Sequence, residues 1–169
     1  AFELCEVELE ALDHCALENG FFNIRREGRA DVTPLELQLQ WRLSRRKEYV
    51  GAAALLARRD AGIKQRATYV KSETAIAIGD RVLHGTRDLG PIVNCGYSPI
   101  RGDWVGLALL ALPYAYSGVD AFVAQSPRGT APIRTVSSPL MQNRSLFVSP
   151  QRDSYANRHD TTYPELVRR

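Results

Sequence analysis

Few residues of this chain stand at a spacing that does chemistry by itself. The histidines are His14, His84 and His159, and none forms the i, i+4 pair that holds a metal on a helix. His14 precedes Cys15, but neighbours on a helix point about 100° apart, so they make no Cys–His dyad. Ser98 in Gly96-Tyr97-Ser98-Pro99 lacks the Gly-x-Ser-x-Gly frame of a nucleophile elbow and reads as a turn residue. Arg101-Gly102-Asp103 reads as a hairpin turn, and no glycine-rich phosphate loop is present. Glu6, Glu8 and Glu10 spread over different helix faces and suit the N-terminal end of a helix dipole. Glu3, between Phe2 and Leu4, stays open between a surface residue and a carboxylate facing a ligand.

Elements must position whatever chemistry there is. Leu9, Leu12 and Ala16 recur at helical spacing over residues 6 to 19, and Gly20 stands where a helix ends. Phe21 to Ile24 is an apolar run suited to a strand, followed by a loop from Arg25 to Asp31. Thr33-Pro34 is a helix start, Thr as N-cap and Pro at the first helical position. Leu35, Leu37, Leu39, Trp41 and Leu43 alternate with other residues, so the spacing predicts one helical turn and then a strand near Gln40 to Leu43. Residues 50 to 61 are alanine-rich, carry Arg58 and Arg59 in the last turn, and stop at Gly62. Beyond it, strands are expected at 65–71, 81–83, 90–97, 105–112, 120–124 and 133–137, with an irregular tail from Met141. The expectation is an α+β chain, a short N-terminal helical and strand segment followed by a small antiparallel β-barrel.

Composition excludes some classes. The 169 residues, 44% hydrophobic and 24% charged, suffice for one globular domain with a small appendage. The most apolar run, Trp104 to Tyr116, is shorter than the roughly 20 residues that span a bilayer, so no membrane helix is expected. The net charge of +3 is dispersed, which argues against a nucleic-acid partner; only Tyr69 near Lys71 hints at a base-stacking surface. Cys5, Cys15 and Cys95 are odd in number and form no Cys-x-x-Cys pair, so reduced thiols in a cytoplasm are the simple reading.

A set of short motifs, in order, resembles the C-terminal part of the aminomethyltransferase family, the T-protein type of the glycine cleavage system. Ala1-Phe2-Glu3-Leu4 resembles the family's Gly-(Phe/Tyr)-Glu-(Ile/Leu) segment. Residues 11–21 resemble its Asp-x-Leu-Arg-Leu-Glu-Ala-Gly helix, and Thr33 to Trp41 resembles Thr-Pro-Leu-Glu-Ala-Gly-Leu-Gly-Trp. Residues 48–55 resemble Asp-Phe-Ile-Gly-Arg-Glu-Ala-Leu, and Gly90 to Pro99 resembles the barrel hairpin Gly-x-Val-Thr-Ser-Gly-x-x-Ser-Pro. Residues 105–110 resemble the following strand, and Ile133 to Leu140 the last barrel strand.

The resemblance implies the end of a folate-binding body over residues 1–47, a barrel domain over 48–140, and a tail over 141–169 that it does not cover. The parent activity it implies is transfer of a one-carbon unit from a small-molecule donor to tetrahydrofolate. The catalytic aspartate and most of the folate channel would lie upstream of Ala1. Partners would be that body or a carrier protein. Glu3 is the match for a carboxylate beside the pterin, and Tyr97 and Arg101 lie on the hairpin that faces the body. Ala16 stands where the family has a pterin-side arginine. The alternative is a non-catalytic barrel that binds a partner or stabilises a larger enzyme. Apolar residues in the first 45 positions predict self-association when nothing covers them.

Overall fold

The computed structural model describes residues 6–29, 31–44, 46–141, 149, 151–154, 156, 157, 159 and 160 of the chain. Two short helices lead into six strands that close into an antiparallel barrel, the α+β arrangement expected. The strands are β1 (Gln65–Ser72), β2 (Arg81–His84), β3 (Arg87–Ser98), β4 (Asp103–Ala111), β5 (Phe122–Ser126) and β6 (Gly129–Val136). Around the barrel they run β1-β4-β3-β2-β5-β6.

β4 explains the most apolar run of the sequence. Val105, Leu107 and Leu109 pack outward under the N-terminal segment with Leu17, Leu37, Ala67 and Tyr69. Ala108 and Leu110 point into the barrel with Val70, Val82, Ile92 and Phe122. Both faces of the strand are buried, so its residues need no polar alternation.

Helix α1 (Leu9–Asn19) starts three residues later than the periodicity suggests and ends at Gly20. It lies on the outer face of β3, where Gly96 makes room: a Cβ there would meet His14 Nδ1 at 2.5 Å. His14 Nε2 sits 3.2 Å from Glu18 Oε1. The Glu27 carboxylate is buried; its Oε1 accepts from Asn94 Nδ2 at 2.6 Å and its Oε2 from the Asn23 amide at 2.5 Å.

Two expectations for the connecting segment are corrected. Phe21 to Ile24 is not a strand; it leads into a 3-10 turn at Glu27–Arg29, and its amides bond locally rather than to a sheet. The strand expected at Gln40 to Leu43 is a 3-10 turn, Gln40–Arg42. The reason is the turn before it, which is capped at both ends. Glu36 Oε2 accepts from the Thr33 amide at 2.8 Å and from the Thr33 hydroxyl, a capping box. Leu39 N bonds Pro34 O at 2.7 Å and Gln38 N bonds Leu35 O at 3.1 Å, the pattern of a Schellman cap. Gln38 takes the left-handed position of that cap, with φ +60°. In the motif this stretch resembles, that position is a glycine.

Helix α2 (Ala52–Ala61) matches its expected span, but none of its residues is buried. It is tied down through Arg58 Nε, 2.9 Å from Glu36 Oε1. The described part of the tail lacks helix and strand; residues 142–148 and 161–169 lie outside the described residues.

Candidate functional site

The residues nominated from sequence fall in two places. Glu3 lies outside the described residues. Tyr97 and Arg101 share the β3–β4 hairpin, whose turn Ser98 closes: its carbonyl accepts from Gly102 N at 2.8 Å and its hydroxyl from Arg101 N at 3.3 Å. Tyr97 is half-exposed and stacks edge-on against Trp104, ring centroids 5.9 Å apart. Arg101 grips Asp103 with both arms, Nε at 3.0 Å and Nη2 at 3.1 Å, and donates Nη1 to Leu140 O at 2.8 Å. Its guanidinium thus clamps the hairpin to the residues that follow β6. Ala16 offers no polar group. With Arg101 engaged and Ala16 apolar, the described residues at these positions do not fit tetrahydrofolate. No group of three His, Cys, Asp or Glu side chains could hold a metal among the described residues.

One built feature was missed from sequence, and it sits beside the short β1–β6 pairing. β1 pairs with β4 along its whole length, but with β6 only from Tyr69 to Lys71. The free edge near Ala67 is covered instead by the capped turn: Ala67 N donates to Glu36 O at 2.8 Å, and Gln38 Nε2 donates to Ala67 O at 2.9 Å. A cavity of about 530 Å³ opens along this seam, with Phe22, Trp41, Tyr69 and Tyr116 among its apolar walls and Arg66 and Gln38 among its polar ones.

Two polar atoms among the residues that line this cavity are themselves shut off from solvent. Arg66 donates Nη2 to the Ala115 carbonyl and lies over the Tyr116 ring at 5.7 Å, but its buried Nε has no acceptor. No carboxylate pairs with it among the described residues. The Tyr69 hydroxyl is buried beside Ser138 without a hydrogen bond of sound geometry. Burial, with the Glu27 charge nearby, pushes its pKa up to about 12, although the Ser138 hydroxyl pulls the other way. At 7% exposure Tyr69 cannot stack on a base, so the hint of a nucleic-acid surface there is corrected. The only sequence signal for the site was an arginine early in the first strand of an apolar barrel.

The fold and this seam define a small closed β-barrel with a helical cover on its outer face. No family model matches the sequence, and no curated protein matches it. Among solved structures, it is similar to the crystal structure of glycine cleavage system aminomethyltransferase T from Bartonella henselae, with a TM-score of 0.68 and 20% identity. The match covers 78% of this chain and 38% of that one, so this chain spans well under half the length of that protein. At that identity the likeness is one of fold. No helix among the described residues is long and apolar enough to cross a membrane.

Proposed function

We propose that this chain is the C-terminal part of an aminomethyltransferase-like one-carbon transferase, inactive by itself. The observation that carries the reading is the shared fold with aminomethyltransferase T, over most of this chain and a minority of the other. The uneven surface supports it. Val7, Leu9, Leu12, Phe21, Ile24, Trp41 and Val50 are all exposed, and all precede the barrel. Exposed apolar side chains in that number suit a covering domain, although Ile78, Tyr97, Ile100 and Tyr116 of the barrel are exposed too. In this reading the barrel and its capped turn are a support, with Tyr97 and the Arg101 clamp facing the folate-binding body. Tetrahydrofolate and the one-carbon donor are bound mainly by residues beyond those described, Glu3 included. A purely stabilising module is the second reading, favoured by Ala16 and by the engaged guanidinium of Arg101.

Calorimetric titration of the chain with tetrahydrofolate, repeated with Glu3→Ala, tests the proposal. The expected result is no saturable heat from either. Stoichiometric binding that Glu3→Ala abolishes would overturn the inactive-alone reading and put a working pterin site within this chain.

A further inference from the structure

We infer that helix α1 of one copy of this chain docks in the basic, apolar groove beside helix α2 of a second copy. The inference does not rest on the transferase reading, because both surfaces belong to this chain. It stands on the groove, on the helix that complements it, and on their opposite charge.

The groove comes first. α2 turns Ala52, Leu55, Leu56 and Arg59 to one side, at the i, i+3, i+4, i+7 spacing of a packing face. No residue of the helix is buried, so nothing within the described chain covers that face. It borders a cavity of about 790 Å³ that Leu35, Leu43 and Ile63 also line. Leu56 is left 47% exposed.

The occupant is on the same chain. Leu9, Leu12 and Ala16 are the apolar stripe by which α1 is read from the sequence, yet Leu9 and Leu12 are each 62% exposed. The helix packs on the barrel through Leu17 and His14. Its leucine stripe is therefore turned away from the barrel. An amphipathic helix with apolar anchors at i and i+3 is the shape that lays into an apolar groove. At 11 and 10 residues, α1 and α2 are of matching length.

Charge selects α1 over the other exposed apolar residues. Lys47, Arg59 and Arg66 line the groove, and no acidic residue does. Arg59 pairs with Asp60, but the exposed Lys47 pairs with no carboxylate among the described residues. Residues 40–66 hold eight Lys and Arg against two acidic residues. Residues 6–18 hold five acidic residues and no Lys or Arg. Glu8 and Glu10 flank Leu9 and are exposed. Ile24 and Trp41 are each followed by an arginine, so neither complements a basic groove. Opposite charge on the two surfaces steers their encounter and fixes its orientation. Because the surfaces differ, the contact is heterologous.

Two variants of the whole chain remove opposite halves of the contact. Leu9→Gln with Leu12→Gln strips the leucines of α1, and Lys47→Gln with Leu56→Gln strips the groove. All four side chains are exposed, so both variants keep the fold. In sedimentation the wild-type chain should associate with rising concentration, and each variant about tenfold more weakly. Raising salt from about 0.05 to about 0.5 M should weaken the wild-type association about threefold or more. An isotope-labelled α1 variant is then titrated with the unlabelled groove variant. Only one intact contact is left in that mixture, the α1 of the second in the groove of the first. The Leu55 and Leu56 amides should shift saturably in NMR spectra, at one-to-one stoichiometry. A wild-type chain that stays monomeric overturns the inference. So does association that survives the groove variant, as pairing of α1 with α1 would. Leu55 and Leu56 amides unmoved in the mixed titration overturn it as well. None of these readouts involves tetrahydrofolate, so this inference and the transferase reading fail separately.

Discussion

Substituting Glu36 tests whether one buried carboxylate holds the N-terminal segment to the barrel. Glu36 is fully buried, and its two oxygens serve different elements. Oε2 accepts from the Thr33 amide at 2.8 Å and from the Thr33 hydroxyl, and Oε1 accepts from Arg58 Nε at 2.9 Å. Its main chain meanwhile bonds Ala67 on β1. Glu36→Gln preserves volume but leaves one acceptor oxygen and adds an NH2 group. Whichever way the amide turns, donor faces donor, at Thr33 or at Arg58. A hydrogen bond to a charged group is worth about 1.5–3 kcal/mol. Arg58 is 40% exposed and regains water when released, which keeps its share small. The expected loss at pH 7 is therefore about 2–3 kcal/mol, or about 5–10 °C in Tm for a chain of this size. The pH dependence adds a second reading. Burial pushes the Glu36 pKa up, but the Thr33 donors and Arg58 outweigh it and hold it below the ordinary 4.5. Its stabilisation is present above pH 4.5 and lost as pH falls through the depressed folded value. Urea unfolding at pH 7 and at steps below pH 4.5 should show the gap between wild type and variant closing on the acid side. A loss under about 0.5 kcal/mol at pH 7, the level of an ordinary surface change, would refute the reasoning. So would a gap that stays constant with pH.

Further outcomes follow from the same structure. Gly90→Ala should leave no folded barrel by circular dichroism, because φ is +140° and the new Cβ would lie 1.8 Å from Leu109 O. Burial, with Asp80 nearby, pushes the Cys95 thiol up to about 11, so peptide mass mapping should find it alkylated at pH 8 only after unfolding. The hydroxyl of Tyr69 ionises at an ordinary 10 in the unfolded chain and at about 12 in the folded one. Stability should thus fall by roughly 1.4 kcal/mol per pH unit between those values, and this fall should be missing in Tyr69→Phe. Sedimentation should detect self-association that Leu12→Glu with Ile24→Lys weakens, as both apolar side chains are exposed. A monodisperse wild-type monomer refutes that last expectation.

Local rules were enough for what is local. All six strands, α1 and α2 lie within a few residues of the spans their periodicity indicates, because each pattern is set by side chains two to four residues apart. The Thr33-Pro34 start was legible for the same reason, since the donors a cap must satisfy are adjacent in sequence. What misled was alternation at Leu35 to Leu43. The leucine spacing fits a strand, but caps at both ends make a helical turn, and the 3-10 turn after it follows. Tertiary structure alone decided the closure. β1 meets β6 across more than sixty residues of chain, and the gap left beside that short pairing is filled by residues 36 and 38. Arg66 and Tyr69 share a cavity only because of that gap. Their sequence neighbours carry no mark of it, since a cavity is a property of surfaces brought together from distant parts of the chain, while periodicity records only which way each residue faces within its own element.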